Sequence, residues 1–212
     1  MRKPLLILLA AAVMAAPVFA ADEGLAAKRS RYLDEVRVGS SFPATYRSVH
    51  IPPIEVEFRK GWPNDANKFQ SPSRQFRPED IKRVSQEMAQ SLRASLQDDL
   101  QRAGYQIAPA PGPGVLVLKI AIEDVQVNAP DNSAPGTNTF MREAGEASLR
   151  IDGYDAGSNA KVMVINDHGK ARPYMGGVER ANTASNRFWF GEMFDRWADA
   201  VTKEIAGLGK AG

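Results

Sequence analysis

The sequence predicts an α+β two-layer sandwich. A mainly antiparallel sheet of four to five strands carries two long amphipathic helices on one face. Three observations predict this. Segments 78–103 and 184–208 repeat apolar residues at spacings of three and four. Several other segments alternate apolar and polar residues, or run apolar throughout, over strand lengths. Strand, helix, strands and helix follow one another without repeats, which suits helices packed on one face of a sheet.

The elements are justified in chain order. Residues 1–20, MRKPLLILLAAAVMAAPVFA, have the three parts of a secretory signal peptide: Arg2 and Lys3, an apolar run from Leu5 to Ala16, and small residues around Ala20. The run is shorter than the roughly 20 residues that span a bilayer, so cleavage after Ala20 is expected rather than anchoring. No twin-arginine pair precedes it. Residues 21–45 are polar and weakly patterned. They read as a loosely ordered arm, in which 22–37 has at most a thin helical stripe. The folded domain is expected over 46–208, with 209–212 as a tail.

In 46–62, Ile54, Val56 and Phe58 alternate with Glu55, Glu57 and Arg59, which predicts a half-buried strand. Pro52 and Pro53 cannot donate ladder hydrogen bonds and mark an edge or a bulge. Residues 61–77 read as a long polar loop with exposed aromatics. The helix over 78–103 opens with Pro78, Glu79 and Asp80, and Gly104 stops it. Val115 to Val127 is apolar at both parities, as in a central strand. NAPDNSAPGTN at 128–138 is a loop of turn formers. Residues 143–156 and 161–169 form a hairpin about the turn at 157–159. Phe190, Phe194, Trp197, Val201, Ile205 and Leu208 make the stripe of the last helix. Its charges are mixed, whereas a helix lying on a membrane surface carries excess lysine and arginine.

Composition narrows the function. Lys and Arg total 27 against 25 Asp and Glu. Loss of Arg2 and Lys3 with the leader leaves a mature chain of zero net charge. Such a chain has no general field for nucleic acid or anionic lipid. No cysteine is present, so disulfides, thiolate metal sites and an N-terminal lipid anchor are all excluded. No second apolar run is long enough to span a membrane.

The stretch PAPGPG at 109–114 is the one candidate for a phosphate-cradling loop. Such a loop leads from a strand into a helix, whose free amides meet the anion. Here a helix precedes the loop and a strand follows it. Three prolines lack amide donors, and no GK[ST] follows. It reads as a connection into the central strand.

PGPGVLVLKIAIEDV (111–125), GEASLRIDGYDAGSNAKV (145–162) and FDRWADAVTKEI (194–205), with YRSVHIPPIEVEF (46–58) upstream, occur in that order. Together they resemble the bacterial envelope family called domain of unknown function 3313, over most of 46–205. The resemblance implies an exported protein. Members are for the most part lipoproteins, and this chain departs from them in having no cysteine to acylate. It carries over no catalytic residues.

Three functional readings follow. The first is a non-enzymatic periplasmic or envelope-associated module, or a secreted one, that contacts another envelope protein or a cell-wall component. Its candidate contacts are Trp62, Asn64, Asp65 and Phe69 in the 61–77 loop, with Arg142 and Glu146 on the wet face of the hairpin. An exposed tryptophan would be a natural anchor. The second is an envelope hydrolase of glycan or ester bonds using Asp167 and His168, or two hairpin carboxylates, if they converge in a cleft. No GxSxG accompanies them, and Arg142, Arg150 and Lys161 suggest cross-strand charge pairs instead. The third is a carrier of small apolar ligands, which requires a pocket between helices and sheet. No cofactor and no metal is expected.

Overall fold

The computed structural model describes residues 24–40, 42, 46–68, 72, 75–127, 140–172, 179–180 and 183–208. The leader at 1–20, the loop at 128–138, Phe69 and the tail at 209–212 lie outside the described residues. In order come β1 (Leu25–Lys28), β2 (Glu35–Gly39), β3 (Ser48–His50), β4 (Glu55–Phe58), α1 (Trp62–Asn67), α2 (Pro78–Arg102), β5 (Gln106–Ile107), β6 (Val115–Val127), β7 (Phe140–Met141), β8 (Gly145–Asp155), β9 (Lys161–Ala171), β10 (Glu179–Arg180) and α3 (Thr183–Leu208).

Eight strands form one mixed sheet in the order β1-β2-β9-β8-β6-β3-β5, with β4 also paired to β6. β7 and β10 make a separate two-stranded ribbon. The α+β class stands, but four to five mainly antiparallel strands was too narrow. The expected 46–62 strand divides at Pro52-Pro53 into β3 and β4. Both run parallel to β6, pairing Val49 with Leu116 and Val56 with Ile122. The helix between β4 and β6 is the reason, because a helical crossover returns the chain in the same direction. β6, β8, β9, β2 and β1 are joined antiparallel.

The second correction concerns 21–45. Leu25–Gly39 adds two strands at the sheet edge, pairing Val36 with Ile165 and Val38 with Met163. Leu33 and Val36 are buried. The intervening turn is tied to α3: Glu204 accepts from Lys28 Nζ at 3.0 Å and from Ser30 Oγ at 2.5 Å. These strands are only four and five residues long, and β2 is held in the sheet by β9, distant in sequence.

Both long helices lie where their stripes require. α2 buries Met88, Leu92, Leu96 and Leu100, and the Arg77 amide donates to Asp80 Oδ2 at 3.2 Å across its first turn. α3 buries Phe190, Met193, Phe194, Trp197, Val201 and Ile205. Glu87 meets Arg187 at 3.0 Å, and Ser95 donates to Asp195 at 2.6 Å. Both pairs advance in the same sense, so the helices lie side by side and parallel. They pack on Leu116, Leu118, Ile120 and Ile122 of β6, and on Leu149, Ile151, Met163 and Ile165 of β8 and β9.

Under the N-terminal half of α3, strands β8 and β9 present small residues. Gly145, Ala147, Gly169 and Ala171 lie there, with Ala147 opposite Gly169 and Gly145 opposite Ala171. A methyl group on Gly169 would sit 2.7 Å from Met193 Sδ and from Trp197 Cζ2. One on Gly145 would sit 2.7 Å from Phe190 Cζ. The aromatic helix therefore rests almost on backbone. This accounts for the small residues of GEAS at 145–148.

Candidate functional site

A cleft of about 640 Å³ opens between the first halves of α2 and α3. Ile81, Val84 and Met88 form one wall, and Phe190, Gly191 and Phe194 the other. Phe58, Trp62, Phe76 and Val127 close the end nearest β4 and β6. Arg83, Glu87 and Arg187 stand at its polar edge. The size falls within the range of about 300–1,000 Å³ usual for small-molecule sites.

Each wall has a local cause. Trp62 enters α1 after Gly61, whose φ of +83° is a backbone conformation that glycine adopts readily. Its indole donates to Val127 O at 3.1 Å, and its ring stacks on Phe58 at 4.9 Å and approaches Phe76 at 5.2 Å. Asn67 pins Phe76 twice: its Nδ2 donates to Phe76 O at 2.9 Å, and its Oδ1 accepts from Phe76 N at 2.7 Å. Asp124, at φ +51°, makes the bulge in β6 that redirects Val125 to Val127 toward this aromatic group. Gly191 sits inside a helix, where glycine costs about 1 kcal/mol relative to alanine. A methyl group there would meet no atom within 4 Å, so the absent side chain leaves open space in the wall.

The expected contact residues separate. Trp62 is buried, not an exposed anchor: Phe58, Phe76 and the Val127 carbonyl draw it into the cleft wall. Asn64 and Asp65 are exposed on α1, and Arg142 is exposed before β8. Phe69 lies outside the described residues. Glu146 is engaged on the opposite sheet face, where Arg59 donates to it at 2.7 Å and His168 Nε2 lies 3.6 Å away. The Arg59 hydrogen bond holds the Glu146 carboxyl below its ordinary range.

Asp167 and His168 do not converge. As neighbours on β9 they point to opposite faces. Asp167 lies under α3, where Oδ2 accepts from Trp197 Nε1 at 2.7 Å and Oδ1 from the Asp34 amide at 2.9 Å. Burial pushes its carboxyl up, against the lowering effect of those two bonds. His168 faces outward, with Nδ1 3.4 Å from Ser148 Oγ. Ser148, His168 and Glu146 thus lie together on an open sheet face. β8 is paired along both edges, to β6 and to β9. Its amides are therefore committed to the ladder, not free to serve as oxyanion donors. The other hairpin carboxylates are also engaged: Asp152 with Lys161 at 3.1 Å and Arg150 at 3.3 Å, Glu143 with Lys170 at 3.4 Å, and Asp155 as acceptor from Tyr46 Oη at 2.9 Å and the Ser158 amide at 2.7 Å. Among the described residues, no cluster of three or more His, Asp or Glu could hold a metal. No helix among them is long and apolar enough to cross a membrane.

The cleft combines residues that sequence reading had assigned elsewhere. By periodicity Met88 and Phe190 belong to plain core stripes and Phe76 to a loop. A glycine in the middle of an aromatic helical stripe was the available signal.

The family model described as "Protein of unknown function (DUF3313)" matches residues 19–201, and the chain belongs to that family. No curated protein matches. Among solved structures, the chain is similar to a protein of the DUF330 family from Xanthomonas campestris, at 11% identity and TM-score 0.45, covering 86% of this chain and 94% of that one. It is similar to a neuraminyllactose-binding hemagglutinin homolog from Helicobacter pylori, at 14% identity and TM-score 0.42, covering 80% and 94%. It is also similar to the PelC dodecamer from Paraburkholderia phytofirmans, at 10% identity and TM-score 0.40, covering 79% and 94%.

Proposed function

We propose that this member of the family is an exported, non-enzymatic envelope protein that binds the apolar chain of a small ligand in the cleft between α2 and α3. One observation carries the reading. The cleft is walled by Phe58, Trp62, Phe76, Val84, Met88 and Phe190, and a helix interior gives up a side chain at Gly191 to keep it open. Apolar walls with a few polar groups at the edge are the usual composition of a ligand site. The leader-like residues 1–20 support export. The chain has no cysteine to carry an N-terminal lipid.

The test uses phenylnaphthylamine, a neutral dye that fluoresces in apolar surroundings. The parent protein should bind it saturably. Gly191→Leu should lower dye affinity at least tenfold by filling the cleft. The same change should leave thermal stability equal or raise it by up to about 1 kcal/mol, because leucine is the better helix former. A parent that fails to bind the dye, or a Gly191→Leu variant that binds it undiminished, would overturn the reading.

A further inference from the structure

We infer that the ligand of this cleft is a single-chain amphiphile with an anionic head group, held at the cleft edge by Arg83 and Arg187. The inference rests on the apolar-chain reading above and adds the chemistry of the other end of the ligand.

Three charged side chains line the cleft: Arg83, Glu87 and Arg187. Two guanidinium groups therefore share one lining carboxylate. Glu87 bridges them, with Oε1 3.3 Å from Arg83 Nη1 and Oε2 3.0 Å from Arg187 Nη2. Arg83 also reaches Asp80 at 3.3 Å, outside the lining. Arg187 donates only to Glu87 among the described residues. A guanidinium has five N–H donors, so most of those on Arg187 remain for a ligand. Its planar fork also matches a carboxylate or phosphate. The backbone adds to the field. α2 and α3 run parallel, so the positive ends of both helix dipoles lie at the end of the layer where the cleft opens. An apolar chain among the aromatic rings would bring its head group to this edge. A negative head would meet two cations in the cleft lining and displace one lining carboxylate, Glu87, while Asp80 holds Arg83 from outside the lining. A cationic head would meet the reverse.

Displacement of phenylnaphthylamine by four probes of one chain length tests this: dodecanoate, dodecyl phosphate, dodecanol and dodecyltrimethylammonium. One or both anions should compete about fivefold more strongly than dodecanol, the scale of partly exposed ion pairs. Which anion is stronger distinguishes a carboxylate head from a phosphate head. The cation should compete least. Arg83→Met with Arg187→Met should erase the preference for anions while leaving dodecanol unchanged. Glu87→Gln should strengthen the anions alone, by removing their competitor. A purely structural role for these exposed side chains would not produce that split. Equal competition by anions and alcohol, or strongest competition by the cation, would overturn the inference and leave the apolar-chain reading standing. A dye that never binds would overturn both.

Discussion

Gly145→Ala should be among the most damaging single-methyl additions in the protein. Gly145 begins β8 opposite the end of β6, beneath the ring of Phe190. A Cβ placed there lies 2.1 Å from Gln126 O and 2.7 Å from Phe190 Cζ, whereas real Cβ contacts essentially never fall under 3.0 Å. The phenyl ring can turn, but the carbonyl belongs to the sheet ladder and cannot. Strand β6 must move by close to 1 Å, or the pair must open. Overpacking of this kind costs about 1–3 kcal/mol, and a lost ladder bond adds about 1 kcal/mol. The expected destabilisation is therefore about 2–4 kcal/mol. In a domain of this size, a loss near 3 kcal/mol lowers Tm by about 6–12 °C. Urea unfolding followed by tryptophan fluorescence measures it directly. Phe190 lines the cleft, so dye affinity should fall as well. Adding Phe190→Leu should recover only the part of the loss that comes from the ring. A Gly145→Ala protein within about 0.5 kcal/mol of the parent would refute the packing described for α3 on the sheet.

Two further predictions concern one half-buried carboxylate, Asp167, and one buried carboxylate, Glu204. Folded Asp167 holds its proton to higher pH than the ordinary carboxyl value of 3.8, because burial outweighs its hydrogen bonds. Its contribution to stability is full below that ordinary value and is lost as pH rises through the raised one. Asp167→Asn has no such loss, so its stability relative to the parent should improve in urea titrations as pH rises above the ordinary carboxyl value of 3.8. A flat or falling difference would contradict the burial assigned to Asp167. Glu204→Ala removes the acceptor for Lys28 and Ser30 and should cost about 1–3 kcal/mol. Hydrogen exchange should accelerate in residues 25–39 while β6 stays protected. Unchanged exchange there would mean that pairing to β9 alone holds the edge strands.

Much of the fold was legible from periodicity. The stripe of Met88, Leu92, Leu96 and Leu100 defines α2 to within a residue of its observed end. The continuous apolar run Val115–Val127 marks the central strand, and the turn at 157–159 joins the hairpin. These are local signals, written at 3.6-residue and 2-residue periods. The parallel pairing of β3 and β4 with β6 is implicit in the strand–helix–strand order. β1 and β2 were not legible, because they are short and their place in the sheet is set by pairing to β9, where Val36 meets Ile165 and Val38 meets Met163.

The sequence by itself determined an α+β chain with a leader-like start, no thiol chemistry, two long amphipathic helices and a family membership without an assigned activity. Tertiary structure alone decided the site. Trp62, Phe76, Met88 and Phe190 are 128 residues apart at their extremes, and only the packing of α2 beside α3 brings them around one space. Burial patterns report that a side chain leaves water. They do not report whether its neighbours fill the space beside it, and at Gly191 they do not.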